Sequence, residues 1–293
     1  MKLGAKDYAL KTLNILLLLI VAVVCAYPFY FIIINALSSA KEITKGVYLF
    51  PRSFTLLYFQ KVFAMPSVLH AALISLARTV AGTALTVFCS ALLGYMVTKR
   101  TLPFRKAIYR FVIVTMYLSA GLIPWYIVMM SLGLKNNFLL YILPSSVVAF
   151  YVVLIKTYIE SIPASVEESA EIDGAGTFTV FFRIIVPLCI PILACVTVFC
   201  AVNQWNSWVD NFYLVSDPNL TTLQYLLYGL LKSNMAGALT QATAGLALDQ
   251  AKKVTPQGLQ YAMTVVTALP ILVVYPVMQR FFIKGIMLGA VKG

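Results

Sequence analysis

Six stretches of this chain stay apolar for longer than the core of a soluble helix requires, over about 13–37, 68–98, 107–131, 138–160, 183–212 and 259–283. Roughly 20 apolar residues cross the hydrocarbon core of a bilayer as a helix, and each stretch reaches that length. A backbone in lipid must satisfy its own polar groups, which helices and closed barrels alone achieve. The period-two alternation of a barrel strand is missing from all six stretches. The expected fold is therefore an all-α membrane protein, with a single transmembrane domain over 1–293 and six helical spans. Only 11% of the residues are charged, against about 25% in a soluble domain.

The first stretch follows a basic start, MKLGAKDYALK, and is longer than a signal-peptide core without a clear small-residue cleavage site, so it reads as a retained span. With that end inside, the connections 1–11, 99–110, 156–183 and 280–293 carry 13 Lys and Arg in 65 residues, against 8 in 83 on the opposite side. This excess places both termini in the cytoplasm. The net charge of +12 is thereby explained as membrane anchoring, and nucleic acid is not an expected partner. Five cysteines lie inside apolar segments without a CxxC pair, and one lone histidine, His70, makes no metal cluster, so no metal site is expected.

Against this apolar background the stretch EESAEIDGAG, 167–176, gathers four of the ten acids into seven positions. Pro163 suits a first helical turn, SVEE at 165–168 has the capping-box form, and the acids that follow favour the positive end of a helix dipole. The pattern predicts a short helix over about 163–172, ended by Gly174 in the left-handed conformation. On it Glu167 and Glu168 each lie one turn from Glu171, so like charges repel by a few tenths of a kcal/mol. Two roles fit these residues taken alone, a solvated acidic cap or a surface for a basic partner. Arg183 likewise fits either a pair with Asp173 or Glu171 or an interfacial anchor.

The longer stretch EESAEIDGAGTFTVFFRIIVP resembles the signature loop of the membrane subunits of bacterial ABC importers, whose pattern is E-A-A, three residues, G, nine residues, I-x-L-P. Glu168, Ala170, Gly174, Ile184 and Pro187 occupy the matching positions, while Ser169 and Val186 depart with little change in size or apolarity. SLARTVAGT, GLIPWYIVMMSLGLKNN, QWNSWVDNFYLVSDPNLTTLQYLL and YPVMQRFFIKGIMLGAVKG extend the likeness, and look like the carbohydrate-uptake branch, the maltose-type and complex-oligosaccharide permeases.

The resemblance implies a type I ABC importer permease fold in the bacterial cytoplasmic (inner) membrane, and a multi-pass transport subunit rather than an enzyme. It implies a coupling loop over about 161–182 in which Glu167, Glu168, Ala170, Glu171, Asp173 and Gly174 meet an ATPase. The implied partners are two ATPase subunits, a second related permease subunit, an extracytoplasmic substrate-binding protein and an oligosaccharide. The sequence has no G-x-x-x-x-G-K-[ST] phosphate loop, so no cofactor is expected in this chain, and ATP and Mg are expected on the partner ATPase.

For the substrate pathway the candidates are Asn203, Gln204, Trp205 and Asn206, within AVNQWNSWVD, and Arg78. Amides beside indoles suit sugar hydroxyls and sugar faces, and the same composition suits an aromatic belt at the membrane interface. The cavity reading falls on Asn203 and Gln204 and the belt reading on the tryptophans. Arg78 is the one base deep in an apolar run, where charge is costly. It fits an acidic-sugar contact, a gate pair or a structural pair, and keeps an alginate-like oligomer among the candidate substrates. The loop segment 237–245 is expected to meet the binding protein, and the basic tail 280–293 to anchor the chain. The alternative function, an ion-coupled secondary transporter, needs intramembrane acids; Asp210, at a span end, is the sole candidate, and this reading leaves the loop unexplained.

Overall fold

The computed structural model describes residues 5–232 and 254–290, with side chains over 10–232 and 254–274, and contains no strand among them. The expected binding-protein contact at 237–245 and the side chains of the tail 280–293 lie outside the described residues. The helices are α1 (Ala5–Ala36), α2 (Ala40–Ile43), α3 (Leu57–Phe63), α4 (Pro66–Met96), α5 (Arg105–Tyr117), α6 (Leu122–Ser131), α7 (Ala149–Ile159) and α8 (Ala164–Ile172). They continue as α9 (Thr177–Leu188), α10 (Ile190–Asn206), α11 (Val209–Leu214), α12 (Leu223–Lys232) and α13 (Pro256–Ala290).

Among the described residues three helical segments are long and apolar enough to cross a membrane unbroken: Leu10–Ala36, Pro66–Met96 and Pro256–Val274. The count rises to five if Phe138–Ser145 with Ala149–Ile159, bent by 46°, and Thr177–Leu188 with Ile190–Asn206, bent by 80°, are one span each. The stretch 107–131, read from sequence as one span, is instead α5 and α6, separated where Leu118 is extended and Gly121 takes φ +79. Proline accounts for the other interruptions. Pro144 sits in a 3-10 turn before α7, and Pro187 and Pro191 flank the corner at Cys189, where missing N–H donors stop the α ladder. A π-helical segment over Phe181–Ile185 precedes that corner.

The described residues fall into two compact units, one from Met1–Pro66 with Leu227–Leu269 and one from Ser67–Leu226 with Pro270–Gly293. In the first, α1 ends against the following loop. Asn35 Nδ2 donates to the carbonyls of Phe31 (2.8 Å) and Val47 (3.0 Å), and Ser38 Oγ accepts from the Arg52 amide at 3.1 Å. The Tyr58 hydroxyl lies 3.0 Å from Thr255 Oγ1 at the entry to α13, and the Tyr58 ring fills the space left by the missing side chain of Gly258.

The second unit is organised along one stripe of α4. Ser75, Arg78, Gly82, Thr86, Ser90 and Gly94 recur every three or four residues, which places them on one face of the helix. This face is buried. Small residues let neighbouring backbones approach: a Cβ on Gly82 would lie 2.5 Å from Gln204 Nε2, and one on Gly94 would lie 3.3 Å from the Val152 carbonyl of α7. The polar members reach backbone groups at the helix breaks. Ser75 Oγ accepts from the Leu223 amide (2.8 Å), Thr86 Oγ1 donates toward the Ser145 carbonyl (2.7 Å), and Ser90 Oγ accepts from the Val148 amide (3.5 Å).

Gly258→Ala is expected to cost about 1–3 kcal/mol through overlap with the rigid Tyr58 ring. It would be read as a lower midpoint of thermal unfolding in detergent. Gly176→Ala is the control, since Gly176 has an ordinary φ of −70 and open space around its α-carbon, and it should leave the midpoint unmoved.

Candidate functional site

The acidic stretch forms α8, preceded by Pro163 at the N-cap with no side-chain cap. The capping box expected at 165–168 does not form, because the helix starts at Ala164 and takes Ser165 into its first turn, where the Ser165 carbonyl accepts from Ser169 Oγ at 2.7 Å. The C-terminal end closes as the sequence predicts. Gly174 takes φ +81, and the Ala175 amide donates back to the Ala170 carbonyl at 2.9 Å, the long-range bond of a Schellman closure.

Lys99, just past the end of α4, divides the acids of α8 into two sets. Its Nζ lies 2.5 Å from Glu167 Oε2, 3.4 Å from Glu171 Oε1 and 4.8 Å from the centre of the Tyr95 ring. The repulsion between Glu167 and Glu171 is thus answered within the chain. Glu171 takes Lys99 rather than Arg183, which is exposed. Burial works against the charge on Lys99, but hydrogen bonds with Glu167 and Tyr95 outweigh it and hold the ammonium above its ordinary pKa of 10.5. Because the shift is upward, the lysine's contribution is fully present below its ordinary value of 10.5 and is lost as the pH rises through its folded-state value.

Ala170 on the same side is buried in a cluster with Ala91, Tyr95, Phe181 and Ile185. The other side of α8 faces outward: Glu168, Asp173 and Gly174 are exposed, and Ile172 is 86% exposed.

A second polar centre lies farther along α4. Arg78, 3% exposed, forms a bidentate ion pair with Asp210, through Nη1 to Oδ1 at 3.0 Å and through Nη2 to Oδ2. Its Nε donates to Gln204 Oε1 (3.1 Å), its Nη1 also reaches the Ser207 carbonyl (3.2 Å), and the guanidinium lies 4.6 Å from the centre of the Tyr141 ring. Gln204 Nε2 in turn donates to Ser145 Oγ at 2.7 Å, and Asn203 Nδ2 donates to the Tyr151 hydroxyl at 3.1 Å.

These groups line a cavity of about 660 Å³ that also meets Trp125 of α6 and Pro144. Of the sequence candidates, Arg78, Asn203 and Gln204 line it; Trp205 is buried and Asn206 exposed, both away from its lining. Sequence reasoning missed Tyr141, Ser145, Tyr151 and Trp125 as lining groups, and missed Lys99 at the loop. The pairing of Arg78 with Asp210 had a signal, since these are the opposite charges set within long apolar surroundings.

Among the described residues the chain is all-helical, with two bent pairs of apolar helices, an exposed acidic loop helix and a cavity that carries a buried ion pair on its wall. Residues 86–288 match the family described as binding-protein-dependent transport system inner membrane component, and the chain belongs to that family. It is 34% identical over 279 residues to the polygalacturonan/rhamnogalacturonan transport system permease protein YtcP of Bacillus subtilis (strain 168), covering 94% of this chain and 96% of that one. It is also 35% identical over 282 residues to protein LplC of the same organism, covering 96% of this chain and 94% of that one. Among solved structures, a bacterial ABC transporter involved in the import of the acidic polysaccharide alginate superposes with a TM-score of 0.87 at 26% identity, covering 96% of this chain and 99% of the other. YtcP is by its name a polysaccharide transport permease and the solved structure an alginate-importing ABC transporter, and the chain falls within the family of sugar importer permeases.

Asp210→Asn would leave the buried Arg78 charge uncompensated and is expected to destabilise the protein by about 3–5 kcal/mol. Adding Arg78→Gln should recover most of that loss. A double-mutant cycle of thermal unfolding in detergent measures the coupling between the two.

Proposed function

We propose that the chain is one permease half of an ATP-driven importer for an acidic oligosaccharide, working by alternating access in the bacterial cytoplasmic membrane. Its 293 residues act as a single transmembrane domain with six crossings, one of them interrupted between α5 and α6, and with both termini and α8 on the cytoplasmic side. The observation that carries this reading is the loop itself: Glu168, Ala170, Gly174, Ile184 and Pro187 stand at the importer spacing. The first two lie on α8, whose outward edge is left exposed and whose Glu167 is tied to Lys99 just past the end of α4.

In this reading α8 seats on an ATPase that binds ATP and Mg, and two such subunits serve this chain and a related partner permease. Glu168, Asp173 and Gly174 are the residues of the loop that face the ATPase directly, Glu167 and Ala170 act from the inner side, and the exposed Glu171 stands between the two with a contact to Lys99. A substrate-loaded binding protein docks on the opposite face. ATP-driven closure of the two ATPase subunits moves α8, and the motion passes to the spans that line the cavity.

The acidic class of sugar is supported by the relatives, because polygalacturonan and alginate are both uronate polymers. Arg78 is not the reader of that charge, since Asp210 neutralises it. Within the cavity, substrate contact falls to aromatic faces such as Trp125 and to hydrogen-bonding groups such as Asn203 and Tyr151, which suit sugar rings and hydroxyls. Ion-coupled transport loses its one candidate group for the same reason, as Asp210 is held by Arg78.

Two measurements test the reading. Affinity purification of the tagged chain should retain an ATPase, and uptake by the reconstituted assembly should follow ATP and be competed by oligogalacturonate more strongly than by a neutral oligosaccharide. Uptake that follows an ion gradient with no associated ATPase would overturn it. Gly174→Val, which forces a β-branched residue into φ +81, should lower stimulated ATP hydrolysis and uptake roughly tenfold while the protein still inserts.

A further inference from the structure

We propose that Lys99 is a positioning residue that latches α8 to α4, so that α8 and the cavity end of α4 move as one body. The inference rests on the coupling role of α8 proposed above and adds a residue outside the 161–182 loop to it.

Lys99 follows the last turn of α4 and sits between two carboxylates one helical turn apart on α8, Glu167 at 2.5 Å and Glu171 at 3.4 Å. A contact to both fixes the rotation of α8 about its own axis as well as its distance, which apolar packing of Ala170 alone does not do. The lysine side chain is 15% exposed and its ammonium lies over the Tyr95 ring, so the contact is partly sheltered from solvent screening.

Tyr95 extends the same attachment. Its hydroxyl donates to the Thr177 carbonyl at 3.5 Å, and its ring centre is 5.1 Å from that of Phe181. The end of α4 therefore holds the loop on both sides, α8 through Lys99 and the start of α9 through Tyr95. The ion pair Lys156–Glu160, by contrast, joins two residues four apart at the end of α7 and links no element to α8.

From Tyr95 back to Arg78 the helix runs unbroken, a distance of about 25 Å at 1.5 Å per residue. The interruptions around the cavity, at 118–121, 142–148, 189 and 207–208, lie in other segments. α4 thus touches the acidic loop at one end and the cavity at the other as a continuous helix; the shorter α7 also spans from Tyr151 at the cavity to Ile159 beside Ala170, but among the described residues it is Lys99, beyond the end of α4, that pairs with the α8 acids. A displacement of α8 delivered through Lys99 reaches Arg78, and with it Asp210, Gln204 and the Ser207 carbonyl, without crossing a hinge.

The test uses the complete transporter in proteoliposomes, with this chain, its partner permease, the ATPase and the binding protein, and labelled oligogalacturonate as the probe. Lys99→Met keeps the length of the side chain and removes its charge. The expected result is an ATPase that still associates and hydrolyses ATP, with sugar moved per ATP reduced roughly tenfold. Lys99→Arg should retain most of the coupling, and the charge exchange Lys99→Glu with Glu167→Lys should exceed either single change. If Lys99→Met fails to insert, Glu167→Gln supplies the same comparison. Transport per ATP equal to that of the unaltered protein, or a charge exchange no better than its single changes, would overturn the latch. An unaltered chain that retains no ATPase would overturn the coupling role itself, so the two failures are distinguishable.

Discussion

A backbone in lipid must satisfy its own hydrogen bonds, and wherever one of these helices stops, something else has to supply the missing partners. In the unit built around α4, that helix supplies them. Ser75 receives the Leu223 amide, Arg78 reaches the Ser207 carbonyl, Thr86 the Ser145 carbonyl, and Ser90 the Val148 amide. The polar residues that make α4 look like a mediocre membrane helix are therefore the condition for its neighbours to be broken. Broken neighbours, in turn, are what open a polar cavity inside an apolar chain. Only protein-buried or water-lined irregular backbone is tolerated at that depth.

The Arg78–Asp210 pair belongs to the same logic. Moving either charge alone into an apolar interior costs several kcal/mol, and the pair is tolerable because both of its oxygens and most of its donors are bonded. The pair closes the Ser207 break, orients Gln204 and places a flat guanidinium on Tyr141. A cavity wall of this kind is largely apolar, with a polar strip that is neutral in sum. It favours hydroxyls and amide-sized dipoles over a bare ionic contact.

Much of the fold was legible in the sequence, because its strongest signals are local. The apolar runs at 13–37 and 68–98 correspond to α1 and α4, and the acidic stretch with Pro163 before it and Gly174 after it gave a helix over nearly the expected residues. The interruptions were not legible. Hydropathy sums over a window and is blind to a turn at Gly121 or a corner between Pro187 and Pro191, since the residues on either side remain apolar. The site divides in the same way. Asn203, Gln204 and Arg78 are polar in apolar surroundings and therefore visible, whereas Tyr141, Tyr151 and Trp125 are ordinary aromatics of a membrane helix until the fold brings them to one wall. The partner of Glu167 was invisible for a related reason: Lys99 lies 68 residues away in a basic hairpin that charge counting had already explained as an anchor.

The division of the acids on α8 changes what a docking surface would have to offer. Had all four faced outward, the demand would be for a strongly basic groove. With Glu167 partly buried against Lys99 and Glu171 held by it at an exposed rim, the outward edge presents Glu168, Asp173 and the bare side chain of Ile172. A complementary surface then needs an apolar hollow for the isoleucine with only a small number of bases around it, because desolvating unmatched charge costs more than the contact returns. Glu167 ties the helix to the end of α4, and Ile172, on the opposite side, is left bare. A helix asked to bear a load and to recognise a neighbour could separate those tasks by facing them in opposite directions, and the two sides of α8 differ in that way across a width of a single turn.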